Sequence, residues 1–183
     1  MPIEKTVKVN IYTDDHTLIK SIENLPLEFK GIISIDGVDG VGKSTLASKI
    51  AKELRSPLIE IDTFVQEQRG GYIDYIDYNR LNERIKKNII ENRLVILEGI
   101  CIQQILDKIG LKSFIKIYVK VIDNYGFWMD EIRFFPPDKS ANEVIAERKA
   151  NRFSLGHVED IIRYHYTYMP YKNADYLFER REV

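Results

Sequence analysis

Residues 31–45 read Gly31-Ile32-Ile33-Ser34-Ile35-Asp36-Gly37-Val38-Asp39-Gly40-Val41-Gly42-Lys43-Ser44-Thr45. The first six form a short apolar run of the kind that makes a strand buried in a parallel sheet. From Lys43 to Arg55 the residues Leu46, Ala47, Ile50, Ala51 and Leu54 share one helical stripe. Between strand and helix lies Gly-x-x-x-x-Gly-Lys-Ser, which in this setting is a phosphate-binding loop. Glycines let the backbone curl until successive N–H groups point at phosphate oxygens, and the helix start adds unpaired N–H groups and partial positive charge. Gly37, Val38, Asp39, Gly40, Val41, Gly42, Lys43, Ser44 and Thr45 are therefore the expected nucleotide-binding residues. Lys43 should reach the β- and γ-phosphates of ATP or GTP, Ser44 should ligate Mg²⁺ through its hydroxyl, and Thr45 should help hold the α-phosphate. A glycine-rich turn without a ligand is the alternative.

Working outward, strands and helices alternate. Leu58 to Ile61 reads as a second strand ending at Asp62, Leu94 to Leu97 as a third ending at Glu98-Gly99, and Phe114 to Val121 as a fourth. Tyr78 to Ile90 is amphipathic, with Leu81, Ile85 and Ile89 four apart. Helices are expected over Ile102 to Ile109, Ala141 to Arg152 and His157 to Met169, with Ser154 or Gly156 opening the last and Pro170 beyond it. Ala174 to Phe178 offers a last strand, while Pro136-Pro137 argues against regular helix in the irregular stretch Asp123 to Lys139. The pattern implies an α/β protein of the P-loop NTPase fold, a parallel β-sheet with helices on both faces. Upstream, Thr6 to Tyr12 alternates as a strand and Thr17 to Leu27 could form a short helix. Residues 1–30 are thus an N-terminal extension without assigned chemistry, and residues 31–183 the P-loop domain.

Size and composition agree with one ordinary folded domain: 183 residues, 44% hydrophobic and 30% charged. The formal net charge of -1, with no long basic run, argues against nucleic acid as a partner. One cysteine, Cys101, excludes an intrachain disulfide, and three scattered histidines make a His-based metal site an unfavourable reading. Charges interrupt every apolar run and the N-terminus lacks a signal-peptide core, so no membrane association is expected and the cytoplasm is the expected setting. A homodimer stays open.

Ligands of parallel sheets gather at the carboxyl ends of the strands. Glu98 ends the third strand, where it could position Mg²⁺ or its water shell. Asp62 ends the second and could orient an acceptor hydroxyl and take its proton; a helix N-cap is the alternative. In Tyr72-Ile73-Asp74-Tyr75-Ile76-Asp77-Tyr78, Asp77 suits a helix N-cap, which leaves Asp74 as a candidate for binding a sugar or polyol hydroxyl. Arg148 and Arg152 share a helix face and could close as a lid over a transferring phosphoryl group; a solvated face paired with Glu143 or Glu147 is the alternative. Trp128 and Arg133 could face a substrate or cover the core.

The order of these pieces resembles the uridine kinase and phosphoribulokinase-like group of P-loop small-molecule kinases. The likeness rests on Ile35-Asp36-Gly37 entering Gly42-Lys43-Ser44-Thr45, then Ile61-Asp62-Thr63-Phe64 and Val95-Ile96-Leu97-Glu98-Gly99-Ile100. Glu147-Arg148 through Arg152, Val158-Glu159-Asp160 and Tyr168-Met169-Pro170 complete it. The resemblance implies that Asp62 is the catalytic base, that Asp74 falls where ribose hydroxyls bind, and that Arg148 and Arg152 are lid arginines. Uridine kinases also carry a β-hairpin before the Glu-Gly strand, which supplies base recognition. Here only Asn88 to Arg93 separates helix from strand, too little for a hairpin.

The expected activity is transfer of the γ-phosphate of ATP, with Mg²⁺, to a hydroxyl of a small-molecule acceptor, a nucleoside or ribose-bearing compound foremost. One rival is a slow nucleotide-hydrolysing switch, though Asp123-Asn124 and Lys172-Asn173 do not make the Asn-Lys-x-Asp reader of a guanine-specific one. The other is a nucleoside monophosphate kinase, to whose extra cationic pocket Arg69 and Arg80 could contribute.

Overall fold

Ile32, Ile33 and Ile35, Val95, Ile96 and Leu97, and Ile115, Ile117 and Val119 are all buried, as neighbouring residues must be when a strand is covered on both faces. They belong to three strands, β2 (Gly31–Asp36), β4 (Leu94–Glu98) and β5 (Ser113–Ile122), of the computed structural model, which describes residues 9–25, 30–66, 71–151 and 156–181. With β1 (Asn10–Tyr12), β3 (Leu58–Glu60) and β6 (Tyr176–Arg181) they form one six-stranded sheet in the order β1-β6-β5-β2-β4-β3. Every pairing in it is parallel. From β2 the chain builds β3 and β4 on one side and later β5 and β6 on the other. The resulting crevice lies at the carboxyl end of β2, where a ligand is expected in such a sheet.

The helices are α1 (Asp15–Glu23), α2 (Lys43–Glu53), α3 (Tyr78–Asn92), α4 (Ile102–Lys108), α5 (Met129–Phe134), α6 (Ala141–Ala150) and α7 (His157–Tyr168). In α2 the buried stripe is Lys43, Leu46, Ala47 and Ile50. Asp77 caps α3 by accepting from the Arg80 backbone N–H at 3.0 Å. Arg93 alone joins α3 to β4, so no hairpin lies between them.

Two elements depart from the expectation. The upstream segment is built into the sheet: Asn10, Ile11 and Tyr12 pair with Tyr176, Leu177 and Phe178, and α1 packs on α2. That helix begins at Asp15, because the Asp14 side chain accepts from the Thr17 N–H at 2.9 Å. The stretch after β5 contains a short helix, α5, which ends before the prolines rather than being excluded by them. As one of the two expected openings had it, α7 starts from Gly156, with no side-chain cap, and Ser154 lies outside the described residues.

Candidate nucleotide and acceptor site

The loop from Gly37 to Gly42 is anchored by its apolar members, since Val38 and Val41 are buried while Asp39 and Gly40 face outward. Gly37 is required by space as well as by backbone, and Gly42 by backbone, with a movable side chain crowding it. At Gly37 (φ +152°) an added Cβ would stand 2.5 Å from the Val119 carbonyl oxygen of β5. At Gly42 (φ +89°), the cap of α2, it would stand 2.1 Å from a guanidinium nitrogen of Arg180. Arg180 Nη1 donates to the Val41 carbonyl at 2.9 Å, so the end of β6 braces the loop from outside. Lys43 is 7% exposed, and its Nζ donates to the Val38 carbonyl at 2.8 Å, closing the loop on itself. Ser44 and Thr45 open onto solvent at the first turn of α2. Asp39 reaches sideways to His157 at the start of α7, with Oδ2 and Nε2 2.5 Å apart.

Asp36 holds this loop to the rest of the fold. Its Oδ1 accepts from the Gly37 N–H at 2.8 Å, and its Oδ2 accepts from the Ile102 N–H at 3.2 Å and from the Tyr164 hydroxyl. Burial pushes the Asp36 carboxyl up to about 6, with the Tyr164 and Gly37 hydrogen bonds and the nearby Lys43 charge opposing that rise.

On the β4 and β3 side of the loop, Glu98 is buried at the strand end. Burial raises its carboxyl above the usual range; Lys43 and the Ser44 hydroxyl favour the charged form, while Asp62 and Glu60 oppose it. Lys43, Ser44, Glu98, Asp62 and Glu60 therefore share one electrostatic neighbourhood. Asp62 is not a helix cap. It lies within a 3₁₀ turn, Ile61–Phe64, and Asp62 Oδ1 accepts from the Tyr72 hydroxyl at 2.7 Å. Gly99 lets this turn approach β4, since an added Cβ would stand 2.9 Å from Ile61 Cβ. The Tyr72 segment is fixed in turn by Asp160 of α7, whose Oδ2 accepts from the Tyr72 N–H at 2.8 Å and the Ile73 N–H at 3.2 Å.

Two expected residues stand apart from this group. Asp74 is exposed and pairs with Lys108 of α4 at 3.5 Å, a surface ion pair. Arg148 is turned toward α5: its Nη2 donates to the Arg133 carbonyl at 2.9 Å and its guanidinium lies 4.7 Å from the Phe134 ring centre. The alternative pairings also fail, because Glu147 pairs with Lys139 and Glu143 closes a capping box with Ser140. Arg152 and Arg69 lie outside the described residues. Trp128 covers the core, edge-on to Tyr118, Phe135 and Tyr171.

Asp36, Tyr72, Asp160 and Tyr164 were given no role by the sequence reading. Asp36 could have been given one, as a carboxylate ending a buried strand directly before the loop. The partners of the others lie 10, 88 and 128 residues away.

The strand order, the loop at the crevice and the carboxylates at neighbouring strand ends define an α/β protein of the P-loop NTPase fold. No family model matches the chain, and no curated protein matches it in sequence. Among solved structures it is similar to a possible uridine kinase from Bacillus stearothermophilus, with a TM-score of 0.56 and 14% identity, covering 90% of this chain and 96% of that one. It is also similar to a candidate fructose transport system kinase from a Silicibacter species, with a TM-score of 0.49 and 15% identity over 94% of this chain and 100% of that one. At 14% identity the first likeness is one of fold. No helix among the described residues is long and apolar enough to cross a membrane.

Proposed function

We propose that this chain is an ATP-dependent phosphotransferase that moves the γ-phosphate of ATP to a hydroxyl of a small molecule, with nucleosides and other ribose-bearing compounds as the first acceptors to test. The observation that carries this reading is the Asp62 carboxylate. It is oriented by a single phenol and otherwise open, within electrostatic reach of Glu98 at the foot of the phosphate loop. A switch that only hydrolyses nucleotide has no need of such a group on the acceptor side.

In this reading the acceptor O–H gives its proton to Asp62 as its oxygen bonds to the γ-phosphorus. The bond to the β,γ-bridging oxygen breaks and ADP leaves. Lys43 exchanges the Val38 carbonyl for phosphate oxygens, and the backbone N–H groups of residues 37–45 line the phosphates. The Ser44 hydroxyl and the Glu98 carboxylate are hard oxygen donors facing one another, a set that suits Mg²⁺, and these two would hold it. When bound, the ion neutralises charge on the phosphates. Arg148 and Arg152 supply lid charge, Arg148 by trading the Arg133 carbonyl for phosphate. A cytoplasmic setting, where ATP is abundant, fits this activity. The phosphotransfer domain begins at residue 31, with β1 and α1 adding to its edge.

An acceptor screen following ADP release tests the proposal, using nucleosides, nucleoside monophosphates, sugars and carboxylic alcohols. ADP release should require an added hydroxyl compound and vanish in Lys43→Ala. With no hairpin before β4, uridine and cytidine should be poor acceptors. Slow, acceptor-independent hydrolysis as the only activity would overturn the reading in favour of a switch.

A further inference from the structure

Arg80 and Arg84 stand one turn apart on α3, both exposed, and neither joins an ion pair among the described residues. The arrangement is unfavourable for the helix by itself. Arg80 sits in the first turn, at the positive end of the helix dipole, where the Asp77 cap is committed to the Arg80 backbone N–H and no acidic residue follows within the turn. Its neighbour at i+4 carries the same charge. Yet Arg80 is held in place, with its guanidinium 4.9 Å from the ring centre of Phe64, the residue that ends the turn carrying Asp62. A cavity of about 460 Å³ opens between α3, the edge strand β3 and that turn, bordered by Glu60, Thr63, Phe64, Arg80 and Arg84 among others. Glu60 borders it and forms no ion pair with either arginine, and neither guanidinium has an ion-pair partner among the described residues.

We propose that this cavity binds an anionic group, a phosphate monoester or a carboxylate, carried by the same acceptor whose hydroxyl Asp62 orients. The inference rests on the phosphotransferase reading and names the acceptor class within it. A planar guanidinium offers two parallel N–H groups to either anion. Stacking on Phe64 fixes one fork beside the Asp62 turn, and Arg84 supplies a second one turn further along α3. A ligand anion would add to the single carboxylate, the Asp77 cap, that this end of the helix holds among the described residues.

The test uses the full chain with Mg²⁺ and a non-hydrolysable ATP analogue filling the phosphate loop. Inorganic phosphate, and acetate as the carboxylate probe, are titrated into wild type, Arg80→Gln and Arg84→Gln by thermal shift. Saturable stabilisation by either probe is expected in wild type, weakened by about ten- to a hundredfold in affinity in each variant. In parallel, matched acceptor pairs are compared with ATP: nucleoside against nucleoside monophosphate, sugar against sugar phosphate, polyol against hydroxy acid. The anionic member should win in at least one class, and the winning class tells phosphate from carboxylate. Its KM should rise about ten- to a hundredfold in the variants, with the KM for ATP unchanged. Should Arg80→Gln fail to fold, Arg84→Gln and Arg80→Lys, which keeps the charge and loses the fork, carry the test. Neutral members winning in every class, or folded variants that keep wild-type affinity for the probes and the acceptor, would overturn the proposal. Arginine-dependent anion binding without transfer to any acceptor would uphold the site and overturn the phosphotransferase reading instead.

Discussion

The hydroxyl of Tyr164 donates to the carboxylate of Asp36 in the protein interior, joining α7 to the residue at which β2 becomes the phosphate loop. The same hydroxyl accepts from the Gln103 N–H at 3.3 Å, so the loop, α4 and α7 meet at one buried carboxylate. Asp36 is 4% exposed and burial pushes it up to about 6, against an ordinary 3.8. A carboxyl whose pKa rises on folding favours the folded state below its unfolded value and loses that advantage as pH rises through the folded one. Ionised Asp36 therefore weighs against folding above pH 6 or so, by about 3 kcal/mol from the size of the shift.

Tyr164→Phe should expose this linkage. The phenol stabilises the charged form, so its loss raises the Asp36 pKa further and costs most where the carboxylate is ionised. Urea unfolding should show a destabilisation of about 1.5–3 kcal/mol at pH 8, shrinking steadily toward pH 5. An equal loss at both pH values would mean that Tyr164 acts by packing alone.

How much of this was legible in the sequence depends on how far each partner lies along the chain. The loop and its flanking strand and helix are local, and Gly37 to Thr45 fold where the motif places them. The missing hairpin was legible as well, because a short link between Asn88 and Leu94 leaves no room for one. Arg148 was placed on the correct helix, but the direction of its side chain depends on the Arg133 carbonyl and Phe134 of α5. The prolines at 136 and 137 obscured that helix. The Lys108 partner of Asp74 was not legible, because only the packing of α4 brings it near. The edge position of β1 beside β6 could not be read either, since the two strands belong to opposite ends of the chain.

Glu98 sets activity against stability. Burial raises its pKa, so its charged form weighs against folding once pH passes the folded value, and Glu98→Gln should melt higher than wild type at pH 8 and no higher at pH 4. The same change replaces one carboxylate oxygen by an amide nitrogen and removes the negative charge beside Ser44. The Mg²⁺ concentration for half-maximal turnover should then rise by about ten- to a hundredfold. A variant with both wild-type Mg²⁺ dependence and wild-type melting would remove Glu98 from the site.

Gly42 and Arg180 offer a steric test of the loop. In Gly42→Ala the new methyl group meets the guanidinium that holds the Val41 carbonyl, and the backbone stays at φ +89°. Two costs are therefore expected: a left-handed backbone of about 1–3 kcal/mol and the displacement of Arg180. Nucleotide affinity and melting temperature should both fall. The double variant Gly42→Ala with Arg180→Ala should recover the steric part only, so its loss should be smaller than the sum of the two single losses. Strict additivity would show that Arg180 can swing away freely and does not brace the loop.

Asp62→Asn separates chemistry from structure at the proposed acceptor side. Because Asp62 lies inside a 3₁₀ turn and accepts from Tyr72, its loss should not uncap a helix. An asparagine oxygen can accept the same hydrogen bond at 2.7 Å, so the melting temperature should stay near that of wild type. What asparagine cannot do is take a proton from an acceptor hydroxyl. General-base contributions are typically about 10²–10⁴-fold, so kcat should fall by that order while ATP affinity, set across the loop at residues 37–45, is unchanged. Tyr72→Phe gives the complementary case: the carboxylate keeps its charge but loses its orienting phenol, and kcat should fall less than in Asp62→Asn. Raising the pH should not rescue Asp62→Asn, because the missing group is the acceptor of the proton rather than its charge state. Full kcat in Asp62→Asn would leave the carboxylate a partner for Tyr72 and nothing more, and transfer would then have to proceed without a protein base.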